Sequence, residues 1–111
     1  SIQIDAGLIE QVLINLMLNA MDAVKETASP KIIFSSEAIG SQIKISIQDN
    51  GAGIEPGLLD KIFIPFFSTK KSGSGIGLSL CKQIMFLHKG SISVYSKTSE
   101  GSLFTLTFNS L

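Results

Sequence analysis

From residue 8 to residue 24 the apolar positions Leu8, Val12, Leu16, Ala20 and Val24 recur every four residues, with Ile9, Leu13 and Met17 beside them. That spacing lays the apolar side chains along one face of a helix over 8–24, with Asp5 as its N-cap. After "ASP" at 28–30 the period changes to two. "KIIFSSEAI" (31–39) and "SQIKISIQD" (41–49) read as strands joined at Gly40, the second alternating Ile43, Ile45 and Ile47 with Gln42, Lys44 and Ser46. "DNGAGIEPG" (49–57) is rich enough in turn formers to predict a loop, and "LLDKIF" after it a short helix. Residues 65–77 hold Pro65, two lysines, three serines and three glycines and predict a long loop. A second helix over 76–88 is expected to close at Gly90 through a left-handed residue. Two alternating strands follow over 91–97 and 102–109, turning through "SEG" at 99–101.

With a short strand ahead of the first helix, this order implies one domain over 1–111 of α/β (α+β) class. The expected architecture is a two-layer sandwich: a mixed, mostly antiparallel sheet with helices on one face. A chain of 111 residues can bury about two-thirds of its unfolded surface without staples. Composition then narrows the function. Nine Lys and Arg balance nine Asp and Glu, and no basic run is present, so nucleic acid is not an expected partner. The single Cys81 and single His88 supply neither a disulfide nor a zinc site, which fits a reducing compartment. No apolar run approaches the roughly 20 residues of a membrane span and no signal-peptide pattern opens the chain. The expected setting is cytoplasmic, without direct membrane contact.

Three places could carry chemistry. "KSGSGIGLSL" (71–80) has neither the spacing of a P-loop nor the G-x-G-x-x-G of a dinucleotide fold. What remains is a glycine-rich segment entering a helix N-terminus, where free N–H groups and the helix dipole favour an anion; a flexible connector would look the same. On the first helix, Gln11, Asn15, Asn19, Asp22 and Glu26 form a narrow polar stripe. Such a stripe can simply face water, yet asparagine is a poor helix former for a solvated face. An amide oxygen suits a Mg²⁺ ion that draws its negative ligands from nucleotide phosphates. Finally, in "DNGAGI" Asp49 ends an apolar strand. Its carboxylate accepts hydrogen bonds only and would select a ligand edge that donates, such as the amino group of adenine. Gly51 and Gly53 would leave room for a flat ligand. Taken alone, Asp-Asn-Gly is also an ordinary turn.

The order of these segments is what makes them specific. "LIEQVLINLMLNAMDA", "DNGAGI", "IFIPFFSTK" and "GSGIGLSL" resemble, in sequence, the N box, first glycine box, F box and second glycine box of the catalytic ATP-binding domain of bacterial two-component sensor histidine kinases. These belong to the GHKL superfamily, with the Bergerat ATP-binding fold. The closing "KGSISVYSKTSEGSLFTLTF" resembles the same domain's last strand pair, so the resemblance spans nearly the whole chain. It implies ATP and Mg²⁺ as cofactors, with Asn19 on the metal, Asn15 near metal and phosphates, and Asp49 on the adenine amino group. Gly51, Gly53, Ile54 and Phe104 would shape the adenine slot. The lid from Phe66 to Gly77 would close over the phosphates, with backbone contact from Gly73, Gly75 and Gly77 and a charge contact from Lys70 or Lys71, and Ser74, Ile76 and Leu78 would complete the cofactor-binding set. Ser102 stands where related domains often carry a Thr near the adenine, although turn chemistry explains a serine there equally well.

Departures from the pattern refine what the resemblance implies. Hydrolysing relatives of the gyrase and heat-shock chaperone groups carry a Glu one turn before the metal-binding Asn, where this chain has Asn15. A neutral amide cannot take a proton from water, so phosphoryl transfer to a protein is implied rather than hydrolysis. Asp22 stands where many histidine kinases place a cation near phosphate, and a carboxylate there would repel one. Glu10 falls off the stripe and reads as a solvated residue, Cys81 as a core residue, and Phe63, Phe66 and Phe67 as an apolar anchor beside the lid. His88, in a last helical turn, reads as a capping residue rather than a phosphoacceptor. The acceptor histidine is expected on an upstream dimerisation and phosphotransfer domain of the same protein, with a response-regulator receiver domain as the further partner. The isolated domain is expected to be monomeric and its parent a homodimer. An anti-sigma-factor-type protein serine kinase and a non-catalytic ATP-sensing module fit the same boxes as alternatives.

Overall fold

Asp5 opens the first helix, α1 (Ala6–Ala23), as expected: its backbone is extended and its Oδ1 accepts from the Leu8 N–H at 3.1 Å. The computed structural model describes residues 5–65, 67 and 77–109. Ile9, Val12, Leu16 and Ala20 form the buried face of α1, which stops at Ala23 with Val24 as its C-cap. Glu26 therefore lies beyond the helix and cannot extend the polar stripe, while Asn15, Asn19 and Asp22 along it are half-buried.

The strands are β1 (Ile32–Ile39), β2 (Gln42–Asp49), β3 (Ser91–Lys97) and β4 (Gly101–Asn109), in the spatial order β1-β2-β4-β3. The expected mixed character is absent among the described strands, where every pairing is antiparallel. Both sequential pairs are hairpins, and a central β2–β4 pairing that sets Asp49 opposite Ser102 joins the two hairpins into one four-stranded sheet. The short strand expected ahead of α1 lies outside the described residues. Gly40 has φ 57° at the first position of a two-residue hairpin loop, where a glycine is favoured.

Alternation decides which face is covered. Ile43, Ile45, Ile47 and Asp49 on β2 pair with Phe108, Leu106, Phe104 and Ser102 on β4, and this face meets α1 and α2 (Gly77–Leu87). Ile47, Leu106 and Phe108 are at most 2% exposed; burying side chains of this size stabilises a fold by about 1.5–3 kcal/mol each. The helices lie over β2, β4 and β3 and leave the edge strand β1 largely open to solvent.

Two local expectations are corrected. The short helix expected at "LLDKIF" is a 3₁₀ turn at Pro56–Leu58 followed by single i→i−3 bonds, Lys61 N–H to Leu58 O, Ile64 N–H to Lys61 O and Phe67 N–H to Ile64 O. Pro65 disfavours the α conformation at Ile64, and the stretch between the prolines is too short to repay an α nucleus. The left-handed residue that closes α2 is Lys89 (φ 57°), not Gly90. The Lys89 N–H bonds Phe86 O at 3.0 Å and the Gly90 N–H bonds Met85 O at 2.9 Å, the two hydrogen bonds of a Schellman cap. Gly90 is needed for space instead, because a Cβ there would strike the Thr107 carbonyl. We therefore expect opposite outcomes at adjacent positions in chemical denaturation: Lys89→Gly stabilises by about 1 kcal/mol, the cost of a left-handed side-chain residue, and Gly90→Ala destabilises.

Candidate nucleotide-binding site

β2 delivers Asp49 to the covered side of the sheet, where it is 5% exposed and opposite Ser102, 6% exposed. The chain turns at once, and Asp49 Oδ1 accepts from the Gly51 N–H at 2.9 Å. This is the Asx geometry that aspartate adopts at a turn, and it fixes the carboxylate relative to the loop that follows. The other side chain of the turn works outward. Asn50 donates to Ser29 O at 2.8 Å and accepts from the Lys31 N–H at 2.8 Å, tying the loop to the segment that enters β1.

Three glycines allow backbones to meet around Asp49. A Cβ on Gly51 would strike the Ala23 carbonyl at the end of α1, one on Gly53 the Lys97 carbonyl, and one on Gly101 the carbonyl of Asp49 itself. Gly53 and Gly101 also take φ values of 76° and 120°, open to glycine and strained for other residues. The space that Gly51 and Gly53 were expected to leave for a flat ligand is thus filled by neighbouring backbone, and their part is to draw the loop close. Hydrogen bonds complete the docking: the Ser99 N–H reaches Ala52 O at 2.7 Å and the Ile54 N–H reaches Ser96 Oγ at 2.7 Å.

α1 forms the opposite wall. Asn15 faces the start of α2, where a Cβ on Gly77 would lie 3.7 Å from its Oδ1. Eight residues later Ala23 meets Gly51, so Asn19 lies on the helix between the glycine entry of α2 and the Asp49 loop. Beneath Asn15, Cys81 is fully buried and points its thiol at Val12 O, 3.8 Å away. Burial pushes the thiol pKa up to about 11, a hydrogen bond with the Asn15 side chain opposing the shift, so the sulfur stays protonated near neutral pH. Asp22 is paired with Lys25 at 3.2 Å.

The structure thus gathers Asp49, Gly51, Gly53, Ile54 and Ser102 at one end of the site and Asn15 and Gly77 at the other, with Asn19 between. Phe104 lies one inward position below Ser102 on β4 and is 7% exposed, and Leu78 packs against the core cluster. Ser102 is the second residue of β4, two positions past the turn at 98–100, which removes the turn explanation for it. Phe66, Lys70, Lys71, Gly73, Ser74, Gly75 and Ile76 lie outside the described residues. Phe63 packs on the core edge with the Lys82 ammonium 5.5 Å from its ring centre. Ser96, Gly101 and Asn50 were not anticipated. The alternation of β3 places Ser96 on the same inward face as Ile92 and Val94, and that was the available signal.

The profile of a family described as "Histidine kinase-, DNA gyrase B-, and HSP90-like ATPase" matches residues 4–110. The signal transduction histidine-protein kinase AtoS of Escherichia coli (strain K12) is 46% identical over 106 residues, covering 95% of this chain and 17% of that protein. The sensor histidine kinase ZraS of the same strain is 42% identical over 105 residues, covering 95% and 22%. Among solved structures, the nucleotide-free catalytic domain of histidine kinase ThkA superposes with a TM-score of 0.84 at 35% identity, covering 97% of this chain and 70% of that one. The chain spans about a fifth of the length of these curated relatives. With the profile matched almost end to end and the fold shared, the chain belongs to the histidine kinase-, DNA gyrase B- and HSP90-like ATPase family.

Proposed function

We propose that residues 1–111 form the catalytic, ATP-binding domain of a sensor histidine kinase, which binds Mg·ATP and donates the γ-phosphate to a histidine on a separate helical dimerisation domain of the same protein. A response-regulator receiver domain is the onward partner. The observation that carries this reading is the buried Asp49 carboxylate at the end of β2, held by the Gly51 N–H and set opposite Ser102. A buried acceptor is costly without donors, and an adenine amino group is a donor of matching size and shape.

The phosphate end follows from α1. No three His, Cys, Asp or Glu side chains gather among the described residues, so a Mg²⁺ ion at Asn19 would take its anionic ligands from the phosphates. An amide oxygen beside phosphate oxygens is a donor set that this hard cation accepts. When bound, the ion would neutralise phosphate charge. Asn15, beside the glycine entry of α2, would orient the phosphates without moving a proton. A neutral amide next to a protonated thiol offers water no general base, which favours transfer to a protein acceptor over hydrolysis. The chain's small share of its relatives' length accords with acceptor and sensor regions carried elsewhere in such proteins.

Calorimetric titration with ATP and Mg²⁺ should show binding that Asp49→Ala weakens by about 1–3 kcal/mol; an unchanged affinity would remove Asp49 from the adenine site. With labelled ATP, the chain alone should turn over far less than about one ATP per second and label nothing. Adding a separately made dimerisation domain should move the label to that domain's histidine, and label appearing on the chain itself would contradict the reading. Cys81 provides a pH check. With its thiol pKa near 11, native chain at pH 8 should react with iodoacetamide far more slowly than unfolded chain.

A further inference from the structure

Ser96 is the last inward residue of β3, after Ile92 and Val94, and it ends an otherwise apolar row beside Ser102. A serine hydroxyl has one proton to donate and two lone pairs to accept with. All three are engaged. The Ile54 N–H donates to Ser96 Oγ at 2.7 Å, the Gly101 carbonyl lies 3.0 Å away, and the Ser102 hydroxyl lies 2.9 Å away. A carbonyl can only accept, so the Ser96 proton goes to Gly101. The Ser102 hydroxyl must then donate to Ser96, and what it retains is acceptor capacity. Its strand partner Asp49 is also an acceptor, and among the described residues no hydrogen bond joins the two.

We infer that Ser96 is a positioning residue that sets base specificity: by taking the Ser102 proton, it turns Asp49 and Ser102 into a pair of buried acceptors that favours a ligand edge bearing an amino group over one bearing a carbonyl. The inference rests on the ATP-site reading given above. It assigns discrimination to a hydroxyl that need not touch the base. Adenine presents an amino group, whereas hypoxanthine presents a carbonyl oxygen at the same ring position. Inosine triphosphate is therefore the matched probe. Without the Ser96 oxygen, the Ser102 proton can swing towards Asp49 or a ligand carbonyl, and the bias against a carbonyl falls. Sites built to pair a specific polar group discriminate strongly because the wrong ligand leaves buried groups unpaired.

The test is a set of titrations with ATP and with inosine triphosphate, each with Mg²⁺, on the wild-type chain, Ser96→Ala, Ser96→Thr and the outer-face control Ser93→Ala. The wild type should prefer ATP. Ser96→Ala should narrow the ratio of the two dissociation constants roughly tenfold, the scale of one hydrogen bond. Ser96→Thr keeps the hydroxyl and should keep the ratio, as should Ser93→Ala. Ser96→Cys, of similar size but a poor hydrogen-bonding group, should narrow the ratio too and replaces the alanine variant if that one fails to fold. A ratio within twofold of wild type in Ser96→Ala or Ser96→Cys overturns the inference, even if both nucleotides bind more weakly, because that is what a merely structural serine would produce. A wild-type chain that binds neither nucleotide overturns the ATP-site reading itself.

Discussion

The close approach of backbone to backbone around Asp49 is the constraint on which the site depends. Residues 49–54 are by composition a flexible turn, and ordering each such residue costs about 1–2 kcal/mol of conformational entropy. What holds them is contact that only glycine permits: Gly51 against Ala23, Gly53 against Lys97, and Gly101 against Asp49. Hydrogen bonds from Ser99 to Ala52 and from Ile54 to Ser96 then fasten the loop to the β3–β4 hairpin. The loop becomes a wall, and the carboxylate that β2 carries to its end acquires a fixed direction.

α1 sets the second wall by the same logic at a longer range. Val12, Leu16 and Ala20 pack into the core at four-residue spacing, and Asn15 and Asn19 ride on the same helix about a quarter-turn round. The asparagines need no loop to place them, because the core that fixes the apolar face fixes them too. Site and fold share one helix, so a cavity made at Leu16 would disturb Asn15 and Asn19 before it touched any ligand.

Periodicity made the fold readable, and position in the turn made Asp49 readable. The helical stripe from Ile9 to Ala20 and the alternation from Ile43 to Ile47 each describe a surface that must be covered, and the sheet order follows from covering both. Short-range geometry was less legible. Lys89 takes the left-handed cap, and position 90 is glycine because Thr107 on β4, seventeen residues away in sequence, occupies the space a Cβ would fill. The Schellman bonds tolerate lysine, whereas the sheet contact does not tolerate alanine. Ser96 is one serine among three in "SISVYSK": alternation sets it on the face of Ile92 and Val94, and the β3–β4 register adds what it meets there, Ser102. Contacts between one element and another, rather than local composition, decide both cases.

His88 shows how such a contact can give a familiar residue a different task. As a residue in the last turn of α2, it was expected to cap and to favour the helix dipole. Its Nδ1 does lie 2.8 Å from Ile84 O, but its Nε2 accepts from the Asp5 N–H at 3.0 Å, at the start of α1. With Nε2 accepting and Nδ1 facing Ile84 O, the ring contributes a directed pair of hydrogen bonds. The bonds join the first residue before α1 to the end of α2. At the start of α2, Gly77 and Cys81 meet Asn15, in the middle of α1. α2 is therefore tied to α1 at both of its own ends, to the start of α1 through His88 and to its middle through Asn15. The glycine entry of α2, where helix N–H groups could meet phosphate, is held against Asn15 by helix packing and by a histidine on the far side of the domain. The lone histidine of the chain then serves the site through the frame that carries it, and needs no contact with a ligand to do so.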